Sequence, residues 1–440
     1  MFERETEFQP TSLGHLPRSW KAAKLEDHAI VKGRIGWRGL KASEYAEHGP
    51  YLIANKHLLN HKVNWSDCDH ITDFRYEESP EIQLAINDVI MSKDGTIGEA
   101  AFIDNLPDRA TTNSTMMLIR VRSEDLSPRY LFYFLQSSYF RRFMKQKKSG
   151  TSIPHIFQRD MKNLMLPLPT VKEQFGIVEV LSYVDLAIQK TDEVVAKTER
   201  LKKGLMQQLL TKGIGHREFK DTEIGKIPED WKIVSIYDIK SNIKGAIVSG
   251  PFGSNIGKRF FVKEGVPLIR GNNLTLGEQL FVDDGFVYIT KEKAEELKSC
   301  EALPNDLIFT AAGTLGQVGL IPKNGRFSRY IISNKQLRAR VDENRALPLF
   351  LYYWFTSSII KRIFKQRKTG TSIPVINLGV LRRLPIPLPE SIEEQRHICG
   401  ILSAVDSKLV SERRQKAELE KTKQALMGLL LTGKVRVKVD

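Results

Sequence analysis

Cysteine is scarce in this 440-residue chain: Cys68, Cys300 and Cys399 are odd in number and far apart. They cannot supply a disulfide framework or a Cys-rich zinc site, and a reducing compartment fits. Long apolar runs are missing too, none approaching the roughly 18 residues a membrane span needs. Residues 1–10 carry acids and no apolar signal core, so the expected location is cytoplasmic. Negative charge is also short, with 52 Asp and Glu against 67 Lys and Arg, a formal net charge of +15. Such a surplus favours a polyanionic partner, because neutralised phosphates release condensed counterions. Charge alone makes nucleic acid only the first candidate, since basic proteins also use self-repulsion to stay soluble.

What is present is ample material for packed cores, 41% hydrophobic residues, in a chain longer than the roughly 250 residues at which single cores stop growing. At least two domains follow, and they are copies. Leu13-Gly14-His15-Leu16-Pro17 up to Trp20-Lys21 returns as Ile224-Gly225-Lys226-Ile227-Pro228 up to Trp231-Lys232, shifted by 211 residues. Gly49-Pro50-Tyr51-Leu52-Ile53 matches Gly265-Val266-Pro267-Leu268-Ile269, and Gly95-Thr96-Ile97-Gly98 matches Gly313-Thr314-Leu315-Gly316. Lys148-Ser149-Gly150-Thr151-Ser152-Ile153-Pro154 recurs as Lys368-Thr369-Gly370-Thr371-Ser372-Ile373-Pro374, now shifted by 220. A drifting offset is what a shared scaffold with loop insertions produces. Matches cluster at Gly, Pro and apolar positions, which set turns and cores, while the intervening chemistry diverges.

The first part of each copy mixes short apolar runs with turn residues and reads as α+β, with strands at Val266–Ile269 and Leu307–Thr310. Tyr130–Phe134 and Leu351–Phe355 read as buried aromatic helices. After the extended, helix-excluding Leu166-Pro167-Leu168-Pro169 and Ile386-Pro387-Leu388-Pro389, both copies switch to a helical period of about 40 residues, roughly 60 Å long. Ile398, Leu402, Val405, Leu409, Leu419, Leu426 and Leu430 keep 3-4 spacing, with Glu412, Lys416 and Lys423 at the remaining seam positions. In the first copy Ile177, Leu181, Val184, Ile188, Val195, Leu201, Leu205 and Leu209 do the same, with Thr191 and Thr198 as expected interruptions. An isolated helix would leave this stripe in water, so the two copies are expected to pair as an antiparallel coiled coil. The alternative is that each packs on its own globular part.

This order of globular part, Pro-rich strand, Glu-Gln (Glu173-Gln174, Glu394-Gln395) and long helix, twice over, resembles the specificity subunits of type I restriction-modification systems. The resemblance covers nearly the whole chain and is most specific at the Gly-Thr-Ser-Ile-Pro segments, at Gly250-Pro251-Phe252-Gly253-Ser254 and at Leu268-Ile269-Arg270-Gly271-Asn272-Asn273. The first copy departs there, reading Gly33-Arg34-Ile35-Gly36-Trp37-Arg38 and Leu52-Ile53-Ala54-Asn55-Lys56-His57. The resemblance implies an α+β fold of two similar target-recognition domains joined by two long antiparallel helices, an internal pseudo-twofold repeat. The expected boundaries are 1–170 and 224–390 for the domains, 171–211 and 391–432 for the helices, 212–223 for a linker and 433–440 for a basic tail. It implies a non-catalytic protein that reads a split double-stranded DNA target. Two methyltransferase subunits and translocating restriction subunits would join it. S-adenosylmethionine, ATP and Mg would sit on those partners, with no cofactor in this chain.

Phosphate contacts are expected where the copies agree: Lys145, Lys147 and Lys148 before Thr151, and Lys365, Arg367 and Lys368 before Thr371, cations beside hydroxyl and backbone donors. A charge run at a helix end is also a common solvated cap. Base readers are expected where the copies differ: Arg34, Arg38, Lys56, Lys93 and Asn113, then Lys258, Arg259, Arg270, Asn272, Asn273, Lys335 and Gln336; Ser254 is a further expected DNA contact. Arg suits guanine and Asn or Gln suits adenine through paired hydrogen bonds.

Other chemistries are weak. His57, His61, Cys68 and His70 are metal-ligand types, but the second copy offers only Asn273 opposite His57. Gly253 to Lys258 lacks the spacing of a phosphate-binding loop, and Gly313 to Gly319 reads as a turn. No Pro-Pro dipeptide occurs, which excludes the Asn/Asp-Pro-Pro-Tyr/Phe motif of amino-methylating DNA methyltransferases. Pro228-Glu229-Asp230 with Asp238-Ile239-Lys240 lacks the leading Pro-Asp of a metal nuclease. An enzyme and a pure coiled-coil scaffold remain the competing classes.

Overall fold

A computed structural model describes residues 2–34, 40–41, 44–147, 155–277, 279–312, 314, 316–366 and 376–438. The chain is α+β and divides into two compact units, Met1–Asp192 with Gln415–Asp440, and Glu193–Arg414. Each unit holds a four-stranded antiparallel sheet with the same strand order. In the first it runs Ala100–Phe102, Val89–Ser92, Met116–Val121, Ala29–Lys32; in the second Val318–Leu320, Leu307–Thr310, Gln336–Ala339, Ile247–Ser249. A second sheet repeats a parallel pair, Ala110–Thr112 beside Tyr45–Ile53 and Tyr330–Ile332 beside Val266–Ile269.

The central strands are apolar at successive positions because both faces are covered. Val89 and Met91 join the core built on the aromatic helix Pro128–Phe134, whereas Ile90 joins a separate core against the second sheet. Leu307 and Phe309 face the helix Pro348–Thr356, and Ile308 faces the other way. Both expected aromatic helices are thus helical and buried. The Leu-Pro strands Met165–Leu168 and Ile386–Leu388 pair with Lys21–Lys24 and Lys232–Val234. A buried carboxylate repeats as well. Asp88 takes two bonds from Arg120 (2.7 and 2.6 Å) and Asp306 takes two from Arg340 (2.7 and 2.6 Å), each after an asparagine at φ of about 70°, Asn87 and Asn305.

The long helices are Val171–Lys212 and Ile392–Leu430. In the first unit Ile177 and Leu181 share a core with Met427 and Leu430; in the second Leu209 and Met206 share one with Ile398 and Leu402. Each unit therefore combines the first turns of one helix with the last turns of the other, so helix-on-helix and helix-on-globular packing are both realised. Their direction is antiparallel within each unit. Asp185 pairs with Lys423 (2.7 Å) and Asp192 with Lys416 (2.6 Å) in the first, Glu199 with Arg413 (2.7 Å) and Lys202 with Asp406 (2.6 Å) in the second.

Of the expected seam, Ile177, Leu181, Leu209, Ile398, Leu402, Leu409 and Leu430 are buried, and Val184, Ile188, Val195, Leu205, Val405, Leu419 and Leu426 are half-buried. Three expectations are corrected. Thr191 and Thr198 do not interrupt the stripe: both are buried, with hydroxyls donating to the carbonyls of Ala187 (2.9 Å) and Val194 (2.8 Å). Leu201 is 54% exposed. The heptad passes from Thr198 to Lys202 instead, whose ammonium finds Asp406 and the Gly277 carbonyl.

The Glu-Gln doublets anchor the helix starts. Gln174 accepts the Ser127 N–H (2.7 Å) and donates to the Asp125 and Pro169 carbonyls; Gln395 accepts the Leu347 N–H (2.8 Å) and donates to those of Arg345 and Pro389. Glu173 accepts the Trp20 indole N–H (2.9 Å) and Glu394 that of Trp231 (3.2 Å). Among the described residues, no helix is long and apolar enough to cross a membrane. Burial pushes the Cys68 and Cys399 thiols up to about 12, so they stay protonated.

Candidate nucleic-acid interface

In both units the sheets end in a set of turns held side by side by the same backbone bonds. In the second unit Ser333 N donates to the Ile269 carbonyl (3.0 Å), Ala311 N to Lys335 (2.8 Å) and Ile376 N to Ala311 (3.0 Å). In the first Asn113 N donates to Ile53 (3.0 Å), Lys93 N to Thr115 (2.9 Å) and Ile156 N to Lys93 (3.1 Å). These bonds bring the strand ends, and the turns that leave them, onto one face of each unit. A short helical turn repeats on it, Asn55–His57 and Gly271–Asn273. It is held by its third residue, His57 Nδ1 accepting the Ala54 N–H (3.0 Å) and Asn273 Oδ1 accepting the Arg270 N–H (3.0 Å).

The face gathers Arg34, Lys56, Lys93 and Asn113 in the first unit, and Ser254, Arg270, Asn272, Asn273, Lys335 and Gln336 in the second. Arg270, Asn272, Lys335 and Ser254 are exposed, as are Lys258 and Arg259 in the next turn, tied back by Arg259 to the Ser254 carbonyl (3.2 Å). Lys56 is exposed but pairs with Asp69 (2.9 Å), and that hydrogen bond holds its ammonium above the usual lysine range. Lys93 and Asn113 are half-buried, and Asn113 accepts the backbone N–H (3.0 Å) and hydroxyl (2.7 Å) of Thr115.

Three expected readers are scaffold instead. Arg34 is buried and donates to the Thr112 carbonyl (3.2 Å) and Ser79 hydroxyl (3.2 Å). Asn273 is 0% exposed, its amide spent on the carbonyls of Val282 (3.0 Å) and Asp284 (2.9 Å). Gln336 is buried against the Ser333 hydroxyl. Each satisfies backbone or neighbouring groups that a turn leaves without partners, so none faces outward to a base edge.

Lys145 is exposed on the helix Ser138–Lys147. Arg38, Lys148, Thr151, Arg367, Lys368 and Thr371, and the side chains of Lys147 and Lys365, lie outside the described residues. The described chain resumes at His155, whose Nδ1 meets Asp94, and at Ile376, both on the strand-end face.

The suspected metal-ligand types of the first copy have other partners: His61 Nδ1 lies 3.1 Å from the Ala100 carbonyl, His70 Nδ1 2.7 Å from that of Gly49, and Cys68 donates to Asn64 (3.4 Å). Among the described residues one His and carboxylate group converges, His216, Asp230 and Glu394. It occupies in the second unit the place where Arg436 clasps Glu173 and Glu5 in the first. Sequence reasoning passed over this clasp, although a 220-residue shift aligns His216 with Arg436, and it named Phe252 only within a signature segment, without singling out a side chain that is 86% exposed.

A family model described as the type I restriction modification DNA specificity domain matches residues 17–197 and 228–421. The type I restriction enzyme MjaVIII specificity subunit of Methanocaldococcus jannaschii is 30% identical over 452 residues, covering 99% of this chain and 98% of that protein. A chain from a structure of complex assembly and conformational transition in the type I R-M system superposes with a TM-score of 0.58 at 16% identity, over 95% of this chain and 99% of that one. The S subunit of the type I restriction-modification system from M. genitalium does so with a TM-score of 0.54 at 15% identity, over 96% and 97%. Both likenesses concern the fold.

Proposed function

This chain belongs to the type I restriction-modification DNA specificity family, and from that premise we propose that it reads a bipartite, asymmetric DNA target with an unread gap set by the helical pair. The observation that carries this is one strand-end face built twice on the same backbone bonds and dressed with different side chains. Lys56, Lys93 and Asn113 stand on one copy, Arg270, Asn272 and Lys335 on the other. Unlike readers on like scaffolds recognise unlike half-sites, because sequence is specified only where side chains reach base edges. The spacer follows from two helices that hold their heptad phase from Ile177 to Leu209 and from Ile398 to Leu430.

In this reading the chain supplies sequence choice alone and recruits two methyltransferase subunits and the restriction subunits, which bring S-adenosylmethionine, ATP and Mg. Selection from a random duplex pool, with and without the methyltransferase partner, is expected to enrich a gapped motif. The purified chain alone should transfer no methyl group. Adding four residues to each long helix, near Thr191–Val195 and near Glu412–Lys416, lengthens the pair by roughly 6 Å. The gap should grow by about one or two base pairs. No enriched gapped motif, or an unchanged gap, would reject the proposal.

A further inference from the structure

Phe252 is 86% exposed, more than any other large apolar side chain among the described residues. Its loop is nevertheless anchored on both sides. Gly250 N donates to the Gln336 carbonyl (2.9 Å), and the chain passes so close to Ser333 that a Cβ on Gly250 would lie 1.8 Å from its carbonyl oxygen. Pro251 is buried and fixes the next φ. Phe252 itself accepts the Asn255 N–H (2.8 Å), opening the turn Gly253–Ile256 that returns the chain to the core at the buried Ile256. The loop is thus tied down on both sides while its ring stays in water, where a collapsed loop would have hidden it.

Its surroundings are cationic and polar. Ser254, Lys258 and Arg259 follow it in the chain, and Lys335 stands on the turn against which Gly250 packs; all four are exposed. Among the described residues neither Lys258 nor Lys335 pairs with a carboxylate. A protein-docking anchor would sit in an apolar patch with a polar rim. An aromatic this exposed, with Lys258 on its own loop and Lys335 on the turn beside it, instead suits a polyanion that also offers flat apolar faces, which is a base stack between phosphates.

We propose that Phe252 is a wedge that enters the base stack of the half-site bound by the second unit, with Lys258 and Lys335 holding the flanking phosphates. This rests on the reading of the strand-end face as the DNA-facing one. The ring carries no hydrogen-bonding edge, so it selects for steps that unstack easily and leaves base identity to Arg270 and Asn272.

The test uses the full chain and the duplex it selects from a random pool, with 2-aminopurine placed in turn at each step of both half-sites. Wild type should raise the fluorescence at one step of one half-site. F252A should abolish that signal and weaken binding by about tenfold or more, while F252W keeps both. The dependence of affinity on salt should be unchanged, since no phosphate contact is removed. Thermal melting of F252A should match wild type, because the lost ring touches no core. If a gapped target is selected but F252A matches wild type in affinity and fluorescence, the wedge is overturned and the reading of the face stands. If wild type selects no gapped target, the reading falls and the wedge with it.

Discussion

Replacing Lys423 by alanine should loosen the first unit selectively. Its ammonium lies 2.7 Å from Asp185 Oδ1, donates to Gln136 Oε1 at 3.1 Å and sits over the Tyr133 ring, while the Tyr133 hydroxyl donates to Asp185 Oδ2 at 2.8 Å. Breaking a buried pair by deleting one partner costs about 3–5 kcal/mol, because the other charge is left behind. Here Asp185 is 35% exposed and keeps the tyrosine hydroxyl. Solvent screening therefore reduces the loss to about 2 kcal/mol. In a unit of about 220 residues that is a fall of roughly 4–8 °C in its melting temperature. Hydrogen exchange on the full chain would locate the loss in helix residues 171–192 and 415–430. A double-mutant cycle with D185N should give a coupling of about 1 kcal/mol or more. The second unit repeats the arrangement with Lys202, Asp406 (2.6 Å) and the Tyr353 hydroxyl (2.9 Å), so K202A should act there in the same way. A K423A chain that melts with wild type would refute the view that these seam lysines hold the helices in register.

Burial holds the His57 imidazole below its ordinary range, against the weaker pull of Asp69. Its folded pKa lies below the unfolded one, so its contribution to stability is full above about pH 6.5 and declines as acid protonates the unfolded chain. H57N, which installs the residue that caps the second copy, should keep the turn and flatten the first unit's stability between about pH 7 and 5 in urea titrations; an unaltered slope would clear His57 of that role. Gly213 ends the first long helix at φ +61°, and a Cβ there would lie 2.5 Å from Glu394 Oε1 and 2.8 Å from Trp231 Cζ2. G213A should therefore cost the second unit about 2 kcal/mol or more, read by calorimetry. On the selected duplex, K335A should lower the salt slope of binding by about one. R270A should instead relax choice at one base pair by about 1–3 kcal/mol, and equal behaviour of the two variants would contradict that division.

Much of this architecture was legible without coordinates. The duplication, the Leu-Pro strands, the aromatic helices and the two long amphipathic helices are written in local periodicity, which acts through neighbours three, four or two residues away. Repetition sharpened it, since the two copies carry these features in the same order at a shift that drifts only from 211 residues at the first match to 220 at the Gly-Thr-Ser-Ile-Pro segments. The same comparison could have shown more. Asn87-Asp88 and Asn305-Asp306 are one turn, and Lys202 and Lys423 are one seam position.

What local pattern could not decide is which polar side chains face outward. Arg34 and Asn273 carry the same chemistry as Arg270 and Asn272, and Gln336 is the chain neighbour of Lys335, yet Arg34, Asn273 and Gln336 are folded inward and Arg270, Asn272 and Lys335 are exposed. That sorting depends on which carbonyl and N–H groups a turn leaves without partners once distant strands have closed around it. Likewise Thr191 and Thr198 enter the seam because their hydroxyls can be satisfied by their own helix, while Leu201 is left in water. Composition and spacing determined a twofold scaffold and a surplus of cations that favours a polyanionic partner. Only the folded chain decided which residues are free to meet it, because exposure depends on which backbone and side-chain groups the closed turns and strands leave to be satisfied.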